Sequence, residues 1–355
     1  MDNQFIPLTR EQLKRVIEGK GAAGRIPMVY HFWSDAGRFG AEEGRARELM
    51  EQYPCDVQAL SINMPEVFQN REHTAYSWTQ KQQPECVKKQ GLDAIVAIED
   101  WDELDEVLAR FPSPDDPALL PPAPAPDGRY RLANWWYCLF ERFWSLRGME
   151  NALMDFYLYP EQVHRLFEAL TNFYCRTLER CKAELGADGV FTSDDIGSQT
   201  SPFFSNEIFD TFFKPYYSRI LAKAHELDMH FWLHTCGNVE AFIPRFIDMG
   251  LDVLHPIQKY TMEERAIVEK FGGLICFWAG FDVQQTIPYG TPEDVRREVR
   301  FMIDTYDRPD GRFMLTCGNS LTEDCPIASF EALLDESYRY GVQKAQRRAG
   351  PPDMV

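Results

Sequence analysis

The chain has 355 residues, of which 45% are apolar, 14% aromatic and 26% charged. Lys and Arg number 37 against 55 Asp and Glu, a formal charge of −18. A chain this apolar can bury a core, which excludes overall disorder. The acidic balance, with no basic run, argues against nucleic acid as a partner.

The opening Met1-Asp2-Asn3-Gln4-Phe5 lacks the basic and apolar regions of a signal peptide. The longest strongly apolar stretch, 132–140, falls far short of the ~20 residues of a spanning helix. Nine cysteines lie at scattered positions. An odd number without a leader favours reduced thiols over a disulfide framework. A cytoplasmic chain with no membrane segment is therefore expected. Residues 1–24 read as an N-terminal helical extension, with Thr9 as N-cap of a polar helix over 9–18.

From 25 to 348 short apolar runs alternate with amphipathic ones. Candidate strands cover 26–33, 57–62, 94–98, 131–136, 189–192, 230–234, 253–255, 274–279 and 313–316. Candidate helices cover 142–157, 160–185, 206–227, 239–249, 262–270, 292–306 and 327–347. An unbroken β, α alternation from 187 onward needs parallel strands with helices outside them. About eight such strands predict a (β/α)8 TIM barrel with an N-terminal extension and long inserted loops. The prolines of 112–127 exclude a helix interior or central strand there. That stretch is a surface loop, or a lid or docking segment.

The chemistry concentrates in His234-Thr235-Cys236-Gly237, after the apolar run 229–233. On a strand, residues i and i+2 share a side, so His234 and Cys236 project together at the carboxyl end. A later strand ends in Thr316-Cys317-Gly318-Asn319, which would bring Cys317 to the same rim. One imidazole and two thiolates suit Zn2+, with a position left for substrate. The alternative is a strand-end histidine bonded to backbone beside two buried cysteines. Cys325 is a rival ligand. Asp194 and Asp195 follow another strand and are candidate catalytic carboxylates, or else helix caps. Gln258 and Asp282 fall on the same predicted rim as candidate substrate-binding residues; Trp136, in the cluster Trp135-Trp136-Tyr137, is a candidate wall of a substrate pocket or else ordinary core. His255 reads as a core or rim histidine rather than a ligand.

Six segments, in order, carry a resemblance. They are Leu146-Arg147-Gly148-Met149-Glu150, Tyr159-Pro160-Glu161, Ser193-Asp194-Asp195-Ile196-Gly197-Ser198-Gln199, His234-Thr235-Cys236-Gly237-Asn238, the run from Gly250 to Gln258, and Gly290-Thr291-Pro292-Glu293-Asp294-Val295. The series, within 143–340, resembles the uroporphyrinogen decarboxylase superfamily, in particular its cobalamin-linked methyltransferase branch. That resemblance implies a (β/α)8 barrel and a catalytic zinc on His234, Cys236 and Cys317. It implies methyl transfer between a small molecule and a corrinoid (cobalamin) carried by a separate partner protein. The direction of transfer stays open. The aromatic richness leans toward O-demethylation of a methoxylated aromatic donor. The metal-free decarboxylases of the superfamily hold substrate carboxylates with early arginines. Here Ala36-Gly37-Arg38 echoes that segment, but its first arginine position is not basic. A metal-free decarboxylase and a non-catalytic binding protein are the alternatives. An acidic, aromatic-rich barrel could also pair as a homodimer.

Overall fold

A computed structural model describes residues 5–69, 76–82 and 96–349. Seven parallel strands pair in chain order: β1 (Val57–Ser61), β2 (Tyr130–Asn134), β3 (Gly189–Ser193), β4 (His230–His234), β5 (Val253–His255), β6 (Cys276–Phe281) and β7 (Phe313–Cys317). The segment 27–29 fills the gap between β7 and β1. Val29 N–H donates to the Leu315 carbonyl at 3.2 Å, Leu315 N–H to Pro27 at 2.9 Å, and Asp56 N–H to Met28 at 2.9 Å. Bonded on both sides, this segment is the eighth stave and closes a TIM-barrel-like α/β fold.

The expected strand over 26–33 thus contracts to the single bridge Met28–Leu315. Pro27 has no N–H to donate. The Met28 N–H goes to the Asp56 carboxylate at 2.7 Å instead of a strand carbonyl. The expected strand over 94–98 is also absent among the described residues, Ala94 and Ile95 lying outside them. The amides of Ala97 and Ile98 both donate to the Leu146 carbonyl at 2.8 Å, so the end of a helix satisfies them. Cys86 likewise lies outside the described residues. The other eight cysteines are free thiols.

Helices cover the outside. The expected helix over 142–157 is two, Phe140–Arg147 and Met149–Leu158. They break at Gly148, whose φ of 76° few side chains tolerate. The expected helix over 206–227 contains a π turn, Phe209–Phe213. Pro215 has no N–H for the carbonyl four residues earlier, which loosens the ladder there. Pro160–Leu185 forms as expected, with Pro160 in its first turn and Gly186 left-handed at its end. The loop 112–127 is strapped to the barrel. Asn63 N–H donates to Leu119 at 2.9 Å, and Arg180 Nη1 donates to Pro114 and Asp116 at 2.8 Å.

The barrel interior is filled by rings. Trp232 lies 5.7 Å from Tyr130 and 5.4 Å from Trp278, and Phe191 lies 5.1 Å from Trp278, centroid to centroid. Each fully buried ring contributes about 1.5–3 kcal/mol through lost water contact. Below this layer the Thr9-capped helix Arg10–Ile17 turns Leu13, Val16 and Ile17 inward. It is tied to strand starts by Arg10 N–H to Gly128 and Arg312 N–H to Val16. The amino end is thereby floored, and the carboxyl end of the strands is left for a site. Among the described residues no helix is long and apolar enough to cross a membrane.

Candidate metal centre

Strand parity decides which side chains reach the mouth. In β3, Phe191 faces the interior ring layer, so Ser193 and Asp195 share its side and Asp194 points the other way. In β4, Trp232 faces inward, and so does His234. Register pairs Ser193 with His234, and His234 with His255.

Three ligand-type side chains converge beyond these ends. A carboxylate oxygen of Asp195, a ring nitrogen of His234 and the Cys236 sulfur all lie within 4.8 Å of one another. Cys236 Sγ is 3.4 Å from His234 Nε2, and Asp195 Oδ1 is 3.5 Å from the same nitrogen. The loops carrying Asp195 and Cys236 are drawn together by backbone. Cys236 N–H donates to Asp195 Oδ1 at 2.6 Å, and Asn238 N–H to the Ser198 carbonyl at 2.7 Å. Gly237 permits this approach. Its φ is 85°, and a Cβ there would stand 2.2 Å from the Gly197 carbonyl oxygen.

Burial dominates the electrostatics of the cluster. Burial pushes the His234 imidazole below the ordinary histidine value, against a pull upward from Asp195. Burial drives His255 well below it, helped by neighbouring His234. The Cys236 thiol is driven well up by burial and by the carboxylates of Asp195 and Glu141. An N, S and O donor set of this kind fits Zn2+, and ion binding would expel the thiol proton.

Cys317 is not brought into the cluster. Phe313 stacks on Tyr306 outside the barrel at 5.3 Å, so Cys317, four residues on, faces outward with it. It is fully buried, and burial with neighbouring Cys325 and Cys55 raises its thiol. Thr316 has the inward parity instead. What Cys317 gives the site is its carbonyl, 3.1 Å from His255 Nε2.

Asp194 is also elsewhere. Its carboxylate accepts the amides of Leu139, Phe140 and Glu141 at 3.1, 3.0 and 2.7 Å, and the Tyr217 hydroxyl. It caps the helix Phe140–Arg147, and burial lifts it to about 6 against those four donors. The expected pair of catalytic acids therefore divides into Asp195 at the mouth and Asp194 in the scaffold.

The remaining expected residues ring the mouth. Gln258 Oε1 accepts Gly237 N–H at 2.6 Å and so steadies the Cys236 loop. Asp282 accepts the Tyr260 hydroxyl at 2.8 Å and the amides of Gln284, Gln285 and Thr286. Burial opposes its charge, yet those bonds hold its carboxyl below the usual range. Both line a cleft of about 50 Å³ with Cys236 and Asn319. Trp136, 41% exposed, stands edge-on to His234 at 6.2 Å.

Residues 143–340 match the family model of uroporphyrinogen decarboxylase (URO-D), more than half of the chain. The chain belongs to the uroporphyrinogen decarboxylase family. No curated protein sequence matches it. A methyltransferase from Methanosarcina mazei superposes with a TM-score of 0.60 at 12% identity, over 93% of this chain and 98% of that one. Xylanase B from Clostridium stercorarium F9 gives a TM-score of 0.42 at 11% identity, over 93% and 100%. The first likeness shows the fold; the second carries no argument.

In this family member the echoed arginine does not reach the cluster. Arg38 Nη1 donates to the Leu321 carbonyl at 2.9 Å, steadying the loop after β7. Sequence reading missed Glu141, which accepts the Ser193 hydroxyl at 2.5 Å. Burial, then Asp195 and Asp194, drives its carboxyl well above the usual range. It missed Trp33, stacked on His255 at 4.7 Å with 6° between planes. It also missed Asn319, whose Nδ2 lies 3.7 Å from Cys236 Sγ. Strand parity could have separated Asp195 from Asp194. Nothing in the local sequence marks Trp33 or Glu141.

Proposed function

We propose that this chain is a zinc-dependent methyltransferase that moves a methyl group between a small molecule and the corrinoid of a separate partner protein. The observation that carries the reading is the convergence of Asp195, His234 and Cys236 at the open end of a URO-D barrel. These three residues would hold the zinc, with a fourth direction left to the reactant. When bound, zinc supplies Lewis acidity toward the heteroatom that carries or receives the methyl group.

The chain's own residues supply the rest. Trp136 stands beside His234 at 6.2 Å with buried Trp33 behind it at 5.4 Å, and offers apolar ring surface to a methoxylated aromatic. This favours O-demethylation as the reaction. Burial, with Asp195 and Asp194 nearby, pushes the Glu141 carboxyl upward, toward the form that can donate a proton beside Asp195. The likeness to the Methanosarcina mazei methyltransferase supports the class of reaction. A corrinoid partner would approach at the carboxyl end of the strands, where this cluster lies.

The test is methyl transfer from a panel of methoxyarenes, methylamines and methyl thiols to cob(I)alamin, followed by absorbance. Turnover with methoxyarenes that disappears on chelation supports the proposal. Absence of transfer from every donor by zinc-loaded protein overturns it.

A further inference from the structure

We propose that His255 is a positioning residue that fixes His234 in the tautomer whose Nε2 carries a lone pair, using the backbone carbonyl of Cys317 as its reference. The inference rests on the reading of Asp195, His234 and Cys236 as a metal centre.

Donors and acceptors along this chain of bonds fix where each hydrogen sits. His255 Nε2 lies 3.1 Å from the Cys317 carbonyl oxygen. A carbonyl only accepts, so this nitrogen carries the hydrogen. His255 is 1% exposed, and no carboxylate touches it among the described residues. A buried imidazole without a counter-charge stays neutral, so its Nδ1 holds a lone pair. That Nδ1 is 2.6 Å from His234 Nδ1. Two ring nitrogens at this distance need one hydrogen between them, and only His234 can provide it. His234 Nε2 is then left bare, facing Cys236 Sγ and Asp195.

The surroundings hold this chain of bonds in register. His234 and His255 are partners across β4 and β5. Trp33 lies flat on His255, and Trp278 closes its other flank at 4.4 Å. Neither ring can turn without losing a buried hydrogen bond. The carbonyl of Cys317 thus sets the far end of the cluster although its sulfur points away. A free imidazole distributes its hydrogen over both nitrogens. Here the competent form is built in before any ion arrives, as partners behind metal-bound histidines commonly arrange.

Two variants and one spectrum test this. Long-range 1H–15N correlation on the metal-free protein reads the tautomer of His234 directly, among seven histidines. The expected result is hydrogen on Nδ1 in the wild type. In His255→Phe, which keeps the aromatic packing but has no acceptor, the hydrogen redistributes and zinc affinity falls by about 10–100-fold. In His255→Gln the amide oxygen accepts from His234 and the amide nitrogen donates to Cys317. That variant restores the Nδ1 hydrogen and loses less than about tenfold. A wild-type spectrum with hydrogen on His234 Nε2 overturns the inference. So does unchanged tautomer and zinc affinity in folded His255→Phe. The spectrum needs neither zinc nor substrate, so it decides this inference even if the proposed methyl transfer fails.

Discussion

His234 and His255 meet through their Nδ1 atoms, 2.6 Å apart, beneath the ring of Trp33. The pairing explains how two loops and three strands yield one ordered donor set. β4 supplies His234, β5 supplies its hydrogen-bond partner, and β7 supplies the carbonyl that orients the partner. Asp195 and Cys236 then close on Nε2 of His234. Sub-ångström placement of this kind depends on locked rotamers behind the ligands, and here buried aromatic rings do the locking.

Asp194 is bonded into the scaffold, whereas Asp195 lies at the mouth. Asp194→Ala leaves three helix amides and the Tyr217 hydroxyl without their acceptor. The expected loss is about 2–4 kcal/mol of folding stability, measured by urea unfolding. Asp195→Asn changes unfolding little and weakens zinc binding. Equal unfolding midpoints for wild type and Asp194→Ala would contradict this division.

Gly237→Ala should separate the loops that carry Asp195 and Cys236. An added Cβ would meet the Gly197 carbonyl oxygen at 2.2 Å, at a backbone φ of 85°. Left-handed backbone alone costs a non-glycine residue about 1–2 kcal/mol, and the contact with backbone adds to it. The expected result is a lowered Tm together with weaker zinc binding. Gly44→Ala, where open space surrounds the added carbon, serves as the control and retains both.

A pH effect is expected at the amino ends of β4 and β5. Asp252 accepts His225 Nε2 at 2.9 Å and the Phe231 amide at 2.8 Å. The hydrogen bond that His225 donates to Asp252, opposed by burial, raises His225 above its ordinary 6.5. Protonation therefore favours the folded chain. The contribution is full below pH 6.5 and is lost as pH rises through the folded-state value. The stability gap between wild type and His225→Gln should be wider at pH 6 than at pH 8. Because the pair is well exposed to solvent, the gap should also narrow in high salt. A gap that widens with pH would contradict the assignment.

Trp136 is expected to serve the reactant rather than the ion. It stands edge-on to Trp33 at 5.4 Å and is 41% exposed, so its removal leaves no packed cavity. Trp136→Ala should keep zinc and the wild-type Tm while raising KM for a methoxyarene by about tenfold, the loss of one stacked ring at roughly 1.4 kcal/mol. Unchanged KM would remove Trp136 from the binding wall.

Much of the barrel was legible because β, α alternation is written in short-range patterning. β3, β4, β5 and β7 lie within two residues of their expected positions. The eighth stave was not, since Pro27 and the Asp56 carboxylate replace the ladder that a strand pattern implies. His234 and Cys236 were found from i, i+2 spacing. Cys317 reads as a rim residue because it ends a strand of the same barrel, whereas its direction depends on the parity it shares with Phe313. His255 read as an ordinary rim histidine, because its role comes from register across β4 and β5 and from a carbonyl 62 residues away. Long-range pairings of this kind leave no local mark.

The central claim is that zinc is held by Asp195, His234 and Cys236, with Cys317 apart from it. Zinc per chain, measured by elemental analysis on purified wild type, Cys236→Ser and Cys317→Ser, tests this most directly. The account predicts about one zinc in the wild type and in Cys317→Ser, and less than about a tenth of that in Cys236→Ser, where a neutral hydroxyl replaces a thiolate donor. No zinc in the wild type, or zinc lost from folded Cys317→Ser but retained by Cys236→Ser, would contradict it.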